Sequence, residues 1–253
     1  MREMGHLALV ILLLAISACA TRTADELYRD GKKAERESAW GRAEKSFRKL
    51  VKRYPEDERA DDALLALMYI AQKRGATDAL LTLAQEFMED YPDSELRHKV
   101  QILKATVMDD VSARAMYDSL YQEATQASGD PKTSGKAEEI FEAFLDRFPQ
   151  DDQADEVLFA LAQVAQNQGN EQEAIQRYQK LIQTYPESPH AYKAQFMIGF
   201  IYSEELHDYA KAKEAYQRVI DQYPGCELED DAQWMIANMG KSVDELDIFK
   251  DKK

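Results

Sequence analysis

From residue 24 onward, apolar residues recur at three- and four-residue spacing, in segments separated by glycine turns and aromatic-proline pairs. That period marks helices with one buried face. The clearest stretch, 162–186, reads as an amphipathic helix, a glycine turn, a second amphipathic helix and a Tyr-Pro stop. The pattern predicts helix pairs at 24–37 with 39–53, 58–74 with 77–90, 151–168 with 171–184, and 189–206 with 209–222. Single helices are predicted at 94–108, 111–127 and 137–147, and a terminal cap at 227–239 in which Ala232, Met235, Ile236 and Met239 cover the last pair.

Five stops end these units: Tyr54-Pro55, Tyr91-Pro92, Phe148-Pro149, Tyr185-Pro186 and Tyr223-Pro224, with the prolines 37, 57, 37 and 38 residues apart. Proline lacks an N–H and disfavours α geometry in the residue before it, so a helix ends there. Ala43, Ala137, Ala174 and Ala212 each lie 12 residues before their proline, and Phe47, Phe141, Tyr178 and Tyr216 each lie 8 before. A small residue lets paired helices approach, and an aromatic one turn on fills the space beside it. The unit ending at Pro92 swaps the two, with Leu80 at the small position and Ala84 at the large one, which conserves core volume.

A repeat of this length built as helix, turn and helix resembles the tetratricopeptide family. The matching residues are Leu161, Ala162, Ala165, Ala174, Tyr178, Leu181 and Pro186 in one unit. In the next they are Ile198, Gly199, Tyr202, Ala212, Tyr216, Val219 and Pro224, with one extra residue in the helix–helix turn. The resemblance implies an all-α fold: a right-handed superhelical solenoid of about five helix pairs over 25–240, with a capping helix at its C-terminal end. The long Pro92–Pro149 interval implies an inserted or elongated helix and a loop at about 109–135. Residues 241–253 form a charged tail.

The N-terminus does not share the pattern. Residues 7–16 form a ten-residue apolar run, too short for a spanning helix of about 20 residues but of signal-peptide length. It leads into Ile16-Ser17-Ala18-Cys19. This resembles a bacterial lipobox and implies a signal peptide over 1–18, lipidation of Cys19 and a tether over 19–24; by the sorting rules of such lipoproteins Ala20, in place of an Asp after the Cys, implies retention in the outer membrane facing the periplasm. Several acyl chains anchor a protein stably. With Cys19 modified, only Cys226 remains, so no internal disulfide is available.

Composition narrows the function. The 253 residues hold ten Gly and seven Pro and carry a net charge of −15, which argues against bulk attraction to nucleic acid or to anionic lipid. The acidic pairs Asp61-Asp62, Asp151-Asp152 and Asp230-Asp231 read as first-turn residues complementing helix dipoles rather than as acid/base or metal sites. His98, His190 and His207 are too dispersed for a local ligand motif, and Gly135-Lys136 and Gly240-Lys241 lack a phosphate-cradling loop. No nucleophile motif is present. The sequence points to no catalytic residues, metal, cofactor or small-molecule substrate.

In tetratricopeptide arrays the first helix of each pair lines the concave surface. That implication places Tyr28 and Lys32, then Leu65, Tyr69, Gln72 and Lys73, then Phe159, Gln163, Gln166 and Asn167, and finally Lys193, Phe196, Phe200 and Ser203 on a partner-binding face. Aromatic anchors beside amides and charges suit a peptide or partner helix. The same aromatics could instead pack between repeats. A lipobox followed closely by about five repeats resembles the lipoprotein family of the β-barrel assembly machine. The last two repeats also resemble the Tol-Pal-associated periplasmic family. Both imply a scaffold for cell-envelope proteins; a regulator of peptidoglycan-processing enzymes is the alternative from another class.

Overall fold

The computed structural model describes residues 22–130 and 132–241, so the signal peptide, Cys19 and most of the charged tail lie outside the described residues. Among the described residues there are twelve α-helices, one π-helical turn and no strand. They fall into two compact units, Met1–Val107 and Met108–Lys253.

The first unit holds α1 (Ala24–Arg36), α2 (Trp40–Arg53), α3 (Ala60–Lys73), α4 (Thr77–Asp90) and α5 (Arg97–Ala105). Thr23 starts α1 through a capping box: its Oγ1 accepts from the Glu26 N–H at 3.2 Å, and Glu26 Oε2 accepts from the Thr23 N–H at 2.9 Å. α1 pairs with α2 and α3 with α4, while α2 packs on α3, so one cluster runs through the unit from Ala24 to Leu103. α3 carries nine buried residues because it meets α2, α4 and α5.

The second unit holds α6 (Asp110–Ala127), α7 (Ser134–Arg147), α8 (Ala154–Asn167), α9 (Glu171–Thr184), α10 (Ala191–Phe200), α11 (Tyr209–Gln222) and α12 (Glu229–Asn238). Helices α6/α7, α8/α9 and α10/α11 are pairs. Contacts α7 to α8, α9 to α10 and α11 to α12 stack them. Met235, Ile236 and Met239 pack beside buried Ala232 over the last pair, as a cap requires. Both units are therefore stacks of tetratricopeptide-type helix pairs.

The stops work alike in both units. Tyr54, Tyr91, Phe148, Tyr185 and Tyr223 have φ between −126° and −137° and ψ between 52° and 63°. Each donates its N–H to the carbonyl four residues back, at 2.8–3.0 Å. The chain then leaves the helix because the following proline cannot continue the ladder. Ala43, Ala137, Ala174 and Ala212 are fully buried, and so is the swapped pair Leu80 and Ala84.

The turns within pairs are equally regular. Ala39, Ala76 and Asn170 donate to the carbonyls of Ala34, Ala71 and Ala165 at 2.8–2.9 Å. The residue before each donor has positive φ: Ser38 55°, Gly75 65° and Gly169 74°. In the last pair the corresponding bond, Asp208 N–H to Tyr202 O at 2.7 Å, spans one residue more, and His207 takes the positive φ of 53°. The surplus residue is absorbed in a π-turn at Ile201–Glu205, closed by Leu206 N–H to Ile201 O at 2.9 Å.

Among the described residues the long interval between Pro92 and Pro149 holds three helices, α5, α6 and α7. Within 109–135, α6 is drawn out to 18 residues, and turns at 128–130 and 132–133 stand where other pairs have a short turn before the second helix, here α7. The surplus helix is α5, which belongs to the first unit. Asp109 starts α6 by accepting from the Ser112 N–H at 3.0 Å, so Asp109-Asp110 is a helix boundary.

Two glycines are required by packing. A Cβ on Gly31 would stand 2.5 Å from the buried Phe47 ring, and one on Gly199 would stand 2.7 Å from the Tyr216 ring. Gly31→Ala should destabilise the fold by about 1–3 kcal/mol despite alanine's better helix propensity. Gly41→Ala, where a Cβ meets nothing within 4 Å, should instead stabilise it by roughly 0.5 kcal/mol. Urea unfolding of both variants gives the comparison.

Candidate functional site

The face expected to bind is formed by the first helices of the pairs: α1 and α3 in the first unit, α8 and α10 in the second. In the first unit Tyr28 is half-buried. Its ring sits edge-on to Phe47 at 6.1 Å, and its Oη lies 3.4 Å from Asp62 Oδ2. Lys32 pairs with Glu35 at 2.6 Å. Gln72 Nε2 donates to Thr106 Oγ1 at 3.0 Å. Tyr69, at 41% exposure, and Lys73 are open to solvent. Leu65, expected on the open face, is buried in the cluster that includes Val100 and Leu103, because α5 packs on α3.

In the second unit Phe159, Phe196 and Phe200 are half-buried. Phe159 packs against Tyr178 at 5.3 Å and His190 at 5.4 Å, and Phe196 against Tyr216 at 5.0 Å. The rings of Phe159 and Phe196 therefore fill space between helices while remaining partly accessible. Gln163 and Asn167 are exposed, with Asn167 Nδ2 donating to Ser128 O at 3.2 Å. Gln166 joins Tyr178 Oη, at 3.4 Å, to Glu205, at 2.7 Å. Lys193 Nζ lies 5.8 Å above the Tyr192 ring. Ser203 is buried: the π-turn rotates it off the face, so its Oγ donates to Phe200 O at 3.1 Å and lies 3.4 Å from Tyr216 Oη.

Much of the face is occupied by a ladder that the sequence reading missed. Tyr28 meets Asp62, Tyr121 meets Glu156 at 2.7 Å, and Tyr192 meets Glu227 at 3.2 Å. In each rung a tyrosine in one first helix reaches an acid 34 or 35 residues later, one repeat on. A tyrosine and a carboxylate recurring at one repeat length was a legible signal. Ser94 to Asp61 at 2.7 Å and Ser188 to Asp155 form a second ladder. Tyr91 to Pro55 O at 3.2 Å and Tyr185 to Pro149 O at 2.7 Å form a third.

The acidic pairs divide. Asp61-Asp62 and Asp230-Asp231 do occupy first turns. Asp151-Asp152 does not: it precedes α8, whose first turn holds Asp155 and Glu156. Asp151 accepts from Arg114 Nε at 2.7 Å, and that hydrogen bond holds its carboxyl below the usual range. Among the described residues no group of three or more His, Cys, Asp and Glu is arranged to hold a metal, and no helix is long and apolar enough to cross a membrane.

The fold and this face define a tetratricopeptide interaction scaffold. A family model for a tetratricopeptide repeat matches residues 156–188 and 193–225. The model of the family YfiO, described as outer membrane lipoprotein, matches residues 20–165, more than half the chain. The chain belongs to that family. No curated protein matches it. Among solved structures, a thermophilic TPR protein of Thermus thermophilus is 14% identical, with 85% of this chain and 98% of that one covered at a TM-score of 0.35. A tetratricopeptide repeat protein from Parabacteroides merdae is 13% identical, with 85% and 99% covered at 0.35. MamA, from residue 41 on, of Desulfovibrio magneticus is 16% identical, with 82% and 99% covered at 0.33.

The ladder has an alkaline signature. Burial first, then the hydrogen bond to Glu156, raises Tyr121 to about 12. A phenol whose folded pKa lies above its unfolded value near 10 contributes stability that is intact below pH ~10 and is lost as pH rises towards 12. Tyr121→Phe should shallow that loss and destabilise the protein at neutral pH by about 0.5–1.5 kcal/mol. Chemical denaturation at neutral and alkaline pH measures both.

Proposed function

We propose that this protein is a non-enzymatic scaffold, anchored by a lipid on Cys19 to the periplasmic side of the outer membrane, that takes part in assembling outer-membrane β-barrel proteins. One observation carries the reading: Ile16-Ser17-Ala18-Cys19 stands directly before a tetratricopeptide body in a chain of an outer membrane lipoprotein family. Acyl chains would hold one end at the bilayer, leaving the helical faces to other proteins or peptides of the envelope. The half-buried rings of Phe159, Phe196 and Phe200 and the exposed Tyr69 and Lys73 are its recognition elements. Aromatic edges beside free polar groups suit an extended segment or helix of a partner.

A second reading has its own support. The tetratricopeptide model matches the last two pairs, the part that resembles the Tol-Pal-associated family. A regulator acting in envelope constriction would use the same faces.

Two experiments test these statements. Cys19→Ala should move the protein out of the membrane pellet and abolish palmitate labelling; wild-type protein without acyl groups would refute the anchor. A photocrosslinking residue at Phe159 or Phe196 in intact cells should capture a component of the barrel-assembly machinery. Capture of Tol-Pal components alone would transfer the assignment to the second reading.

A further inference from the structure

The first helical pair is charged unlike the rest of the chain. Residues 22–54 hold eleven Lys and Arg against six Asp and Glu, a net +5, while the whole chain carries −15. Arg2 and Glu3 cancel, so the residues after 54 carry −20. α2 sets Arg42, Lys45, Lys49 and Arg53 at three- and four-residue spacing, on one face. With Lys33 of α1 and Arg22 they line an open cleft of about 660 Å³.

Little in the protein neutralises this cleft. Asp30, its one acidic lining residue, pairs with Arg22 at 2.5 Å, and Arg42 reaches Glu37 at 2.5 Å. The side chains of Lys33, Lys45, Lys49 and Arg53 have no ion-pair partner among the described residues. The helix dipole accounts for Lys52 and Arg53 in the last turn of α2 but not for Lys45 and Lys49 further in, and it disfavours Arg42 in the first turn. Cations gathered in a concavity without counter-charges raise the local potential and attract anions.

The cleft also lies where the chain leads to the anchor. Tyr54 Oη donates to the Arg22 carbonyl at 2.9 Å, which ties the start of the described chain to the end of α2. Three residue steps separate Arg22 from Cys19, and these span at most about 11 Å. We infer that this cleft binds the phosphate headgroups of anionic phospholipid in the bilayer that holds the anchor. The inference takes its location from the lipoprotein reading above. Its consequence is that the first pair lies against the membrane, which limits how freely the body swings on its tether.

The mature chain, residues 19–253 with Cys19→Ser, has no acyl group, so its vesicle binding reports the cleft alone. It should sediment with vesicles of phosphatidylcholine mixed with phosphatidylglycerol, not with phosphatidylcholine alone, and binding should weaken as salt rises. Reversing Lys45, Lys49 and Arg53 together to Glu should reduce binding at least about tenfold. Reversing Lys180, Lys213 and Arg218 in the second unit should not. Equal binding to both kinds of vesicle, or equal loss in both triple variants, overturns the inference. So does self-association in sedimentation velocity, with no vesicle binding, that the first triple variant alone abolishes; the cleft would then serve the acidic part of a second copy. If the first variant fails to fold, the lipid and salt dependence of the parent chain still decides. Mass spectrometry of Cys19 in protein taken from membranes tests the anchor separately.

Discussion

A buried side chain of one helix seated where its partner leaves room holds each pair together, and in four of the five pairs among the described residues it is an aromatic ring: Phe47, Phe141, Tyr178 or Tyr216. Phe47 lies over Gly31, Tyr216 over Gly199, and Tyr178 is fully buried where α8 meets α9. A ring of that size brings a large apolar area into contact only if the facing helix lacks bulk. Gly31 and Gly199 sit in helix interiors, where glycine is intrinsically unfavourable by about 1 kcal/mol relative to alanine. Two such positions persist because a truncated ring would remove more, about 3–5 kcal/mol for a buried Phe. The α3/α4 pair shows the constraint from the other side: with Leu80 and Ala84 exchanged, both remain buried. What is fixed is the filled volume, not the residue at either place.

A pair closed in this way still has an open flank, and the stops determine how the next pair meets it. The same φ and ψ recur before all five prolines, so each following segment leaves its helix in the same direction. The tyrosines of the stops then bond to the carbonyls of the preceding stop, and first-helix tyrosines bond to acids one repeat on. Exposed hydrogen bonds of this kind contribute little singly, but they fix the spacing of units whose apolar contacts alone would allow sliding. The π-turn at Ile201–Glu205 fits the same account. Keeping Tyr216 over Gly199 and the stop at Pro224 leaves one residue over, and the turn absorbs it.

Most of this was legible in the chain. Prolines, small residues and aromatics at fixed offsets report the pair geometry directly, because each is required by backbone sterics or by volume. What was not legible depended on neighbours distant in sequence. Leu65 occupies an outward register position and is buried only because α5 covers α3. Ser203 would face outward on an ideal helix and turns inward because the register shifts in the π-turn. The interval after Pro92 was correctly long, but periodicity could not say which of its helices was surplus, since α5 and α6 are both amphipathic and only packing distinguishes them. Asp151 looked like a dipole residue until Arg114, 37 positions earlier, claimed it.

Net charge was the least informative quantity of all. A total of −15 suggests a uniformly acidic body, yet the sum conceals +5 in the first pair and −20 beyond it. At physiological ionic strength fields decay over about 8 Å, so a ligand at α2 experiences the local cations and not the distant acids. The same screening frees the acidic remainder to act on its own. Its carboxylates near the first-helix face are partly engaged by tyrosine hydroxyls, as at Glu156 and Glu227. The first pair is thus basic and the remainder acidic, and the total of −15 reports neither.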